Sequence, residues 1–134
     1  MRDLVEKRGL TAKIKIDSAG TGSWHIGEPP HRGTLKKLEE MKISTSGMKA
    51  RQLKSSDLDD FDYIVCMDEN NVRDTREMLK AYTDAKIFRF LDLTTHQKDV
   101  PDPWYTGDFE ETYSLCMEGC EVLLEKITKE HALS

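Results

Sequence analysis

The sequence has no apolar run approaching the roughly 20 residues a membrane-spanning helix needs, and Met1-Arg2-Asp3-Leu4 carries no signal-peptide core. A membrane partner is therefore not expected, and the expected location is cytoplasmic. Cysteine is scarce: Cys66, Cys116 and Cys120 make an odd set of three without framework spacing, which argues against a disulfide scaffold and fits a reducing compartment. A structural zinc site is not expected either. Cys116 and Cys120 could reach one metal from adjacent turns, but the four histidines lie in unrelated segments. Segregated positive charge is also missing. The net charge is -5 and basic residues alternate with acidic ones, as in Glu6-Lys7-Arg8 and Lys36-Lys37-Leu38-Glu39-Glu40. Nucleic acid is thus not the expected partner.

What is present suits one modest core. A chain of 134 residues with 37% hydrophobic and 34% charged residues is polar but above the regime of disorder, and one domain over residues 1–134 is expected. Residues 1–9 read as the last turns of a helix closed by Gly9. Ala12-Lys13-Ile14-Lys15-Ile16 alternates with period two and predicts a short strand. A Gly- and Pro-rich loop follows through Pro30, with Trp24 in its middle. From Arg32, the residues Leu35, Leu38 and Met41 predict a one-faced helix. Ser56, with Asp59 three residues on, predicts a capped short helix. Tyr63-Ile64-Val65-Cys66-Met67 predicts a strand buried on both faces, ending at Asp68. A polar helix to about Ala81 turns Val72, Met78 and Leu79 inward, and Ile87-Phe88-Arg89-Phe90-Leu91 predicts another strand. Finally, Asp108 and Glu111 predict a capping box. Behind it, Phe109, Tyr113, Cys116, Cys120, Leu123 or Leu124, and Ile127 form one apolar stripe with both cysteines in the core.

Strands alternating with helices predict an α/β fold, a three-layer arrangement with a mostly parallel sheet and helices on both faces. Ligands of such sheets bind beyond the carboxyl ends of the strands. Three segments with little structural reason for their composition fall there: Ser18 to Trp24, Asp68, and Val100-Pro101-Asp102-Pro103-Trp104-Tyr105. Asp102 stands between two prolines that stiffen its loop, with two aromatics directly after it. A carboxyl group held against aromatic surface has its pKa raised and suits proton donation to a leaving group. An Asp-Pro turn with aromatics covering the core is the plainer explanation of the same residues.

Five separated segments together resemble one family: Asp17-Ser18-Ala19-Gly20-Thr21, Ile26-Gly27-Glu28-Pro29-Pro30, Ala50-Arg51-Gln52, Phe61-Asp62-Tyr63-Ile64-Val65-Cys66-Met67-Asp68 and Asp102-Pro103-Trp104-Tyr105. In order and spacing they are similar to the low-molecular-weight protein tyrosine phosphatases, bacterial type. The resemblance implies hydrolysis of phosphotyrosine, on a protein or a simple aryl phosphate, through a phosphocysteine intermediate and without a cofactor. It implies Asp102 as general acid, then base. Trp24 and Trp104 would wall the slot for the phosphotyrosine ring with Tyr105 beside them, and Ser18 would brace the phosphate loop. Asp68 matches an acidic residue near the acid loop, and His25 a variable, solvated position.

The resemblance also implies a Cys-x5-Arg-Ser phosphate loop after the first strand, and these residues hold none. Six residues after Cys66, Cys116 and Cys120 stand Val72, Val122 and Lys126. The expectation is a domain incomplete at its N-terminus, lacking its first strand and the nucleophile, inactive alone and prone to oligomerise through unpaired strand edges. Two other readings stay open: a non-catalytic phosphotyrosine-binding module, and arsenate reduction, for which Cys66 has no resolving partner through Leu79.

Overall fold

The computed structural model describes residues 1–21, 27, 32–44, 51–82, 84–102 and 106–132. In chain order the elements are α1 (Arg2–Lys7), α2 (Arg32–Glu40), α3 (Asp57–Asp60), β1 (Ile64–Cys66), α4 (Glu69–Leu79), β2 (Ile87–Arg89), a 3-10 turn (Phe90–Leu93) and α5 (Phe109–Glu130). Two compact units carry them: Met1–Asp17 with Pro30–Gly47 and Pro101–Ser134, and Ser18–Pro29 with Met48–Val100. The class is α/β with a parallel sheet. No described helix is long and apolar enough to cross a membrane.

In the first unit, α1 and α2 pack on α5. Val5, Leu10 and Leu124 are buried together, with Met1, Leu4, Ile14 and Ile16 against them. Gly9 closes α1 as expected: at φ 69° it occupies the left-handed region, and N–H groups of Gly9 and Leu10 reach back to the carbonyls of Glu6 and Val5. Residues 12–16 do not form the expected strand. The carbonyl of Leu10 accepts from the N–H groups of Lys13 (2.9 Å) and Ile14 (3.0 Å), curling the chain into turns. The period-two alternation is nonetheless real, because Ile14 and Ile16 are half-buried while Lys13 and Lys15 are exposed. Alternation reports one buried face, whereas a strand also needs a regular ladder of backbone hydrogen bonds, which periodicity does not encode.

Asp108 caps α5 by accepting the Glu111 N–H at 2.9 Å, while its own N–H goes to the Thr106 hydroxyl at 3.1 Å. The buried stripe of α5 is Leu115, Gly119, Leu123, Leu124 and Ile127. Cys116 and Cys120 are half-buried on its flank, not in the core as expected. The cause is that Leu115 and Gly119 claim the buried line one position earlier. Met41 lies past the end of α2 and is 41% exposed, so it does not extend that helix's inner face.

In the second unit, β1 and β2 pair in parallel, Ile64 opposite Ile87 and Cys66 opposite Arg89, with α4 crossing over and packing on both. Cys66, Leu79 and Ile87 form its core with Leu53, Leu58, Ile64, Val72 and Ala81. The β1 run is shorter than expected and half-buried at Ile64 and Val65. Within the expected Ile87–Leu91 strand, the chain turns at Phe90, which with Leu91 is buried in the 3-10 turn. Met78 is 37% exposed and Thr75 is buried in its place one turn earlier. Ser56 makes no side-chain cap bond, contrary to expectation, because it is itself helical (φ -66°, ψ -18°). Asp57 supplies the carboxylate instead, accepting the Lys54 N–H at 3.0 Å.

Candidate active site

In the second unit, the segment that ends at Val100, two residues before Asp102 in the chain, is fastened at several points. After β1 the chain turns out through exposed Met67 to Asp68, whose extended backbone and side chain cap α4; its Oδ1 accepts the Asn71 N–H at 2.7 Å. Capping is therefore the structural task of Asp68. The Met67 carbonyl accepts the Val100 N–H at 2.8 Å, and Asp99 Oδ1 accepts the Glu69 N–H at 2.9 Å. These two bonds bring the segment before Asp102 against the start of α4. Arg89, at the end of β2, completes the attachment. Its guanidinium donates to Asp92 (Nε, 2.9 Å), to Glu69 and Asp99 (both 3.1 Å), and to the Gln97 carbonyl (2.9 Å).

The Pro101 carbonyl accepts the Thr112 hydroxyl of α5 at 3.1 Å, and the Asp102 carbonyl accepts the Thr106 N–H at 3.2 Å. Asp102 itself is exposed. Trp24, His25, Trp104 and Tyr105 lie outside the described residues.

Ser18 is exposed, and the segment it opens is fastened two residues on. Gly20 bridges Gln52 in parallel, donating to the Arg51 carbonyl and accepting from the Leu53 N–H, both at 2.8 Å. Beneath that bridge, Arg51 donates to both oxygens of Asp57, at 3.0 and 3.2 Å. Burial pushes the Asp57 carboxyl up, but bonds from Arg51 and the Lys54 N–H, with the charges of both residues, outweigh it and hold the carboxyl below its usual value.

The three cysteines are placed for packing. Cys66 is buried in β1 with its sulfur 3.7 Å from the Thr75 hydroxyl, and burial pushes its thiol up. Burial, reinforced by neighbouring Cys120, pushes Cys116 to about 11. Neither is activated as a thiolate, which would require an electropositive surround. Among the described residues no three His, Cys, Asp or Glu side chains gather as a metal site would require.

Residues 1–133 match the family described as low molecular weight phosphotyrosine protein phosphatase. The chain belongs to that family. It is 52% identical over 134 residues to the low molecular weight protein-tyrosine-phosphatase YfkJ of Bacillus subtilis, covering 98% of this chain and 86% of that protein. The crystal structure of YfkJ superposes with a TM-score of 0.91, covering 96% of this chain and 82% of that one. PtpA of Staphylococcus aureus, also a low molecular weight protein-tyrosine-phosphatase, is 39% identical over 131 residues, covering 97% and 82%. A protein tyrosine phosphatase from Entamoeba histolytica, solved with Hepes in its active site, is 29% identical with a TM-score of 0.87, covering 97% and 85%. Asp57, Arg89 and Asp99, each engaged in the hydrogen bonds described above, are the residues of interest that sequence reasoning missed. The one available signal was a lone arginine in the otherwise apolar run Ile87–Leu91.

Proposed function

We propose that the function is that of a protein tyrosine phosphatase, hydrolysing phosphotyrosine through a phosphocysteine intermediate, in which the residues named above position the substrate and transfer protons. Asp102 donates a proton to the tyrosine oxygen as the P–O bond breaks, then takes a proton from the water that attacks the phosphocysteine. The phenol released has a pKa near 10, so expelling it unprotonated is costly, and general-acid help of roughly 10²- to 10⁴-fold is expected. Trp24, Trp104 and Tyr105 form the aromatic slot, and Ser18 braces the phosphate loop.

Family membership over residues 1–133 is the observation that carries the proposal. The Asp-Pro-Trp-Tyr segment at 102–105, its root hydrogen-bonded at Val100, adds support. The attacking thiolate has no candidate here, since no cysteine has an arginine six residues on and two of the three have raised pKa values. The 134-residue chain alone is therefore proposed to be inactive. The test compares it with a form carrying a Cys-x5-Arg loop, using phenyl phosphate. Turnover only in the form carrying that loop, lost on Asp102→Asn, is expected. Phosphotyrosine binding without turnover in both forms would instead make the protein a binding module.

A further inference from the structure

We infer that Arg89 is a positioning residue for general acid catalysis, acting through the backbone of residues 97–100 on the loop that presents Asp102. The inference rests on the Asp102 assignment above. Arg89 is 18% exposed and directs its guanidinium at Glu69, Asp92, Asp99 and the Gln97 carbonyl. Gln97 has a φ of 44°, a left-handed conformation that a residue with a Cβ adopts at a cost, and its carbonyl is the one Arg89 holds. Asp99 Oδ1 accepts from Arg89 and from the Glu69 N–H at once, so one carboxylate joins the loop to α4 and to β2. Val100 then donates to Met67.

Only Pro101 separates Val100 from Asp102. Consecutive Cα atoms are about 3.8 Å apart, so Asp102 stands within about 7.6 Å of that hydrogen-bonded point. Pro101, the one residue between them, has its own φ held near -65° by its ring, which leaves little slack. A shift at residues 97–100 is thus passed on to the carboxyl group. Proton donation in the transition state tolerates such shifts poorly: a misplacement of about 1 Å costs up to roughly 10²-fold. Lysine cannot replace the arginine here. The guanidinium is a planar fork of five N–H donors that reaches four partners together, whereas an ammonium is a compact point charge.

The test uses kcat/KM on two aryl phosphates in a form carrying a Cys-x5-Arg loop. Nitrophenyl phosphate has a leaving group stable as an anion and needs little acid help; phenyl phosphate, whose leaving group has a pKa near 10, needs it. Arg89→Lys is expected to lower kcat/KM for phenyl phosphate by roughly 10-fold more than for nitrophenyl phosphate. The same substitution in an Asp102→Asn background should have no further selective effect. Selectivity in Asp102→Asn but not in Arg89→Lys overturns the inference while leaving the Asp102 assignment intact. No selectivity in either overturns both. In the 134-residue chain, Arg89→Lys should speed amide exchange at Val100, and unchanged exchange also counts against the inference. Should Arg89→Lys fail to fold, Asp99→Asn, which keeps an acceptor for the Glu69 N–H, should show the same selectivity in weaker form; its absence overturns the inference.

Discussion

Arg51 holds the buried carboxylate of Asp57 with both terminal nitrogens, one to each oxygen, at 3.0 and 3.2 Å. Asp57 is 2% exposed, so removing Arg51 strands a charge away from water. Arg51→Met is expected to cost about 3 kcal/mol by urea melting, and to loosen the Gly20–Gln52 bridge that Arg51's own backbone helps form. The folded carboxyl titrates below its unfolded value, so this stability is present above pH ~4 and lost as pH falls through the lowered folded pKa. Asp57→Asn should flatten that acid limb.

The residues that the sequence revealed are those whose task is local. Gly9 and Asp108 act on backbone within five residues, and their types announce it. Asp102 stood out because two prolines bracket it. Residues 12–16 misled because alternation encodes a buried face but not the partner strand. Ser56 misled because Asp57, one residue on, makes the bond to the Lys54 N–H. The Arg89 cluster leaves only the lone arginine of an apolar run as a trace, for a different reason. Its partners lie 3, 8, 10 and 20 residues away, a set with no period.

Lys80 closes α4 at φ 52°, and the N–H groups of Lys80 and Ala81 bond the carbonyls of Glu77 and Arg76. Lys42 repeats the pattern after α2 at φ 59°, bonding Glu39, with Ile43 bonding Leu38. Glycine serves this position in α1 without a Cβ penalty. Lys80→Gly and Lys42→Gly should each stabilise the protein by about 1 kcal/mol, read as a higher urea midpoint with an unchanged slope.

Cys116, raised to about 11 from the usual 9.0 by burial first and by Cys120 second, should resist iodoacetamide at neutral pH in the native chain and react on unfolding. Because the fold raises the pKa, the thiol's contribution to stability is full below pH ~9 and is lost as pH rises toward 11. Cys116→Ala should reduce the alkaline loss of stability. Cys66 shifts in the same direction, so part of the loss will remain.

Gly33, in the first turn of α2, faces the ring of Phe109 at the start of α5. A Cβ added there would overlap Cζ and both Cε atoms, so the ring would have to leave its place. Helix propensity alone favours Gly33→Ala by about 1 kcal/mol. Displacing a half-buried aromatic from the α2–α5 contact opposes that gain with loss of apolar burial of similar or larger size. The interface has other ties, since Lys37 pairs with Glu110 and its ammonium lies 5.2 Å from the Tyr113 ring centre. The helices should therefore stay together while the Phe109 ring alone is expelled. Gly33→Ala is expected to destabilise the protein by about 1 kcal/mol in the native background and to stabilise it once Phe109→Ala has removed the ring. The double-mutant cycle by urea melting reads this reversal of sign directly. A Gly33→Ala effect of the same sign in both backgrounds would mean that helix propensity, not the Phe109 contact, sets the residue at this position.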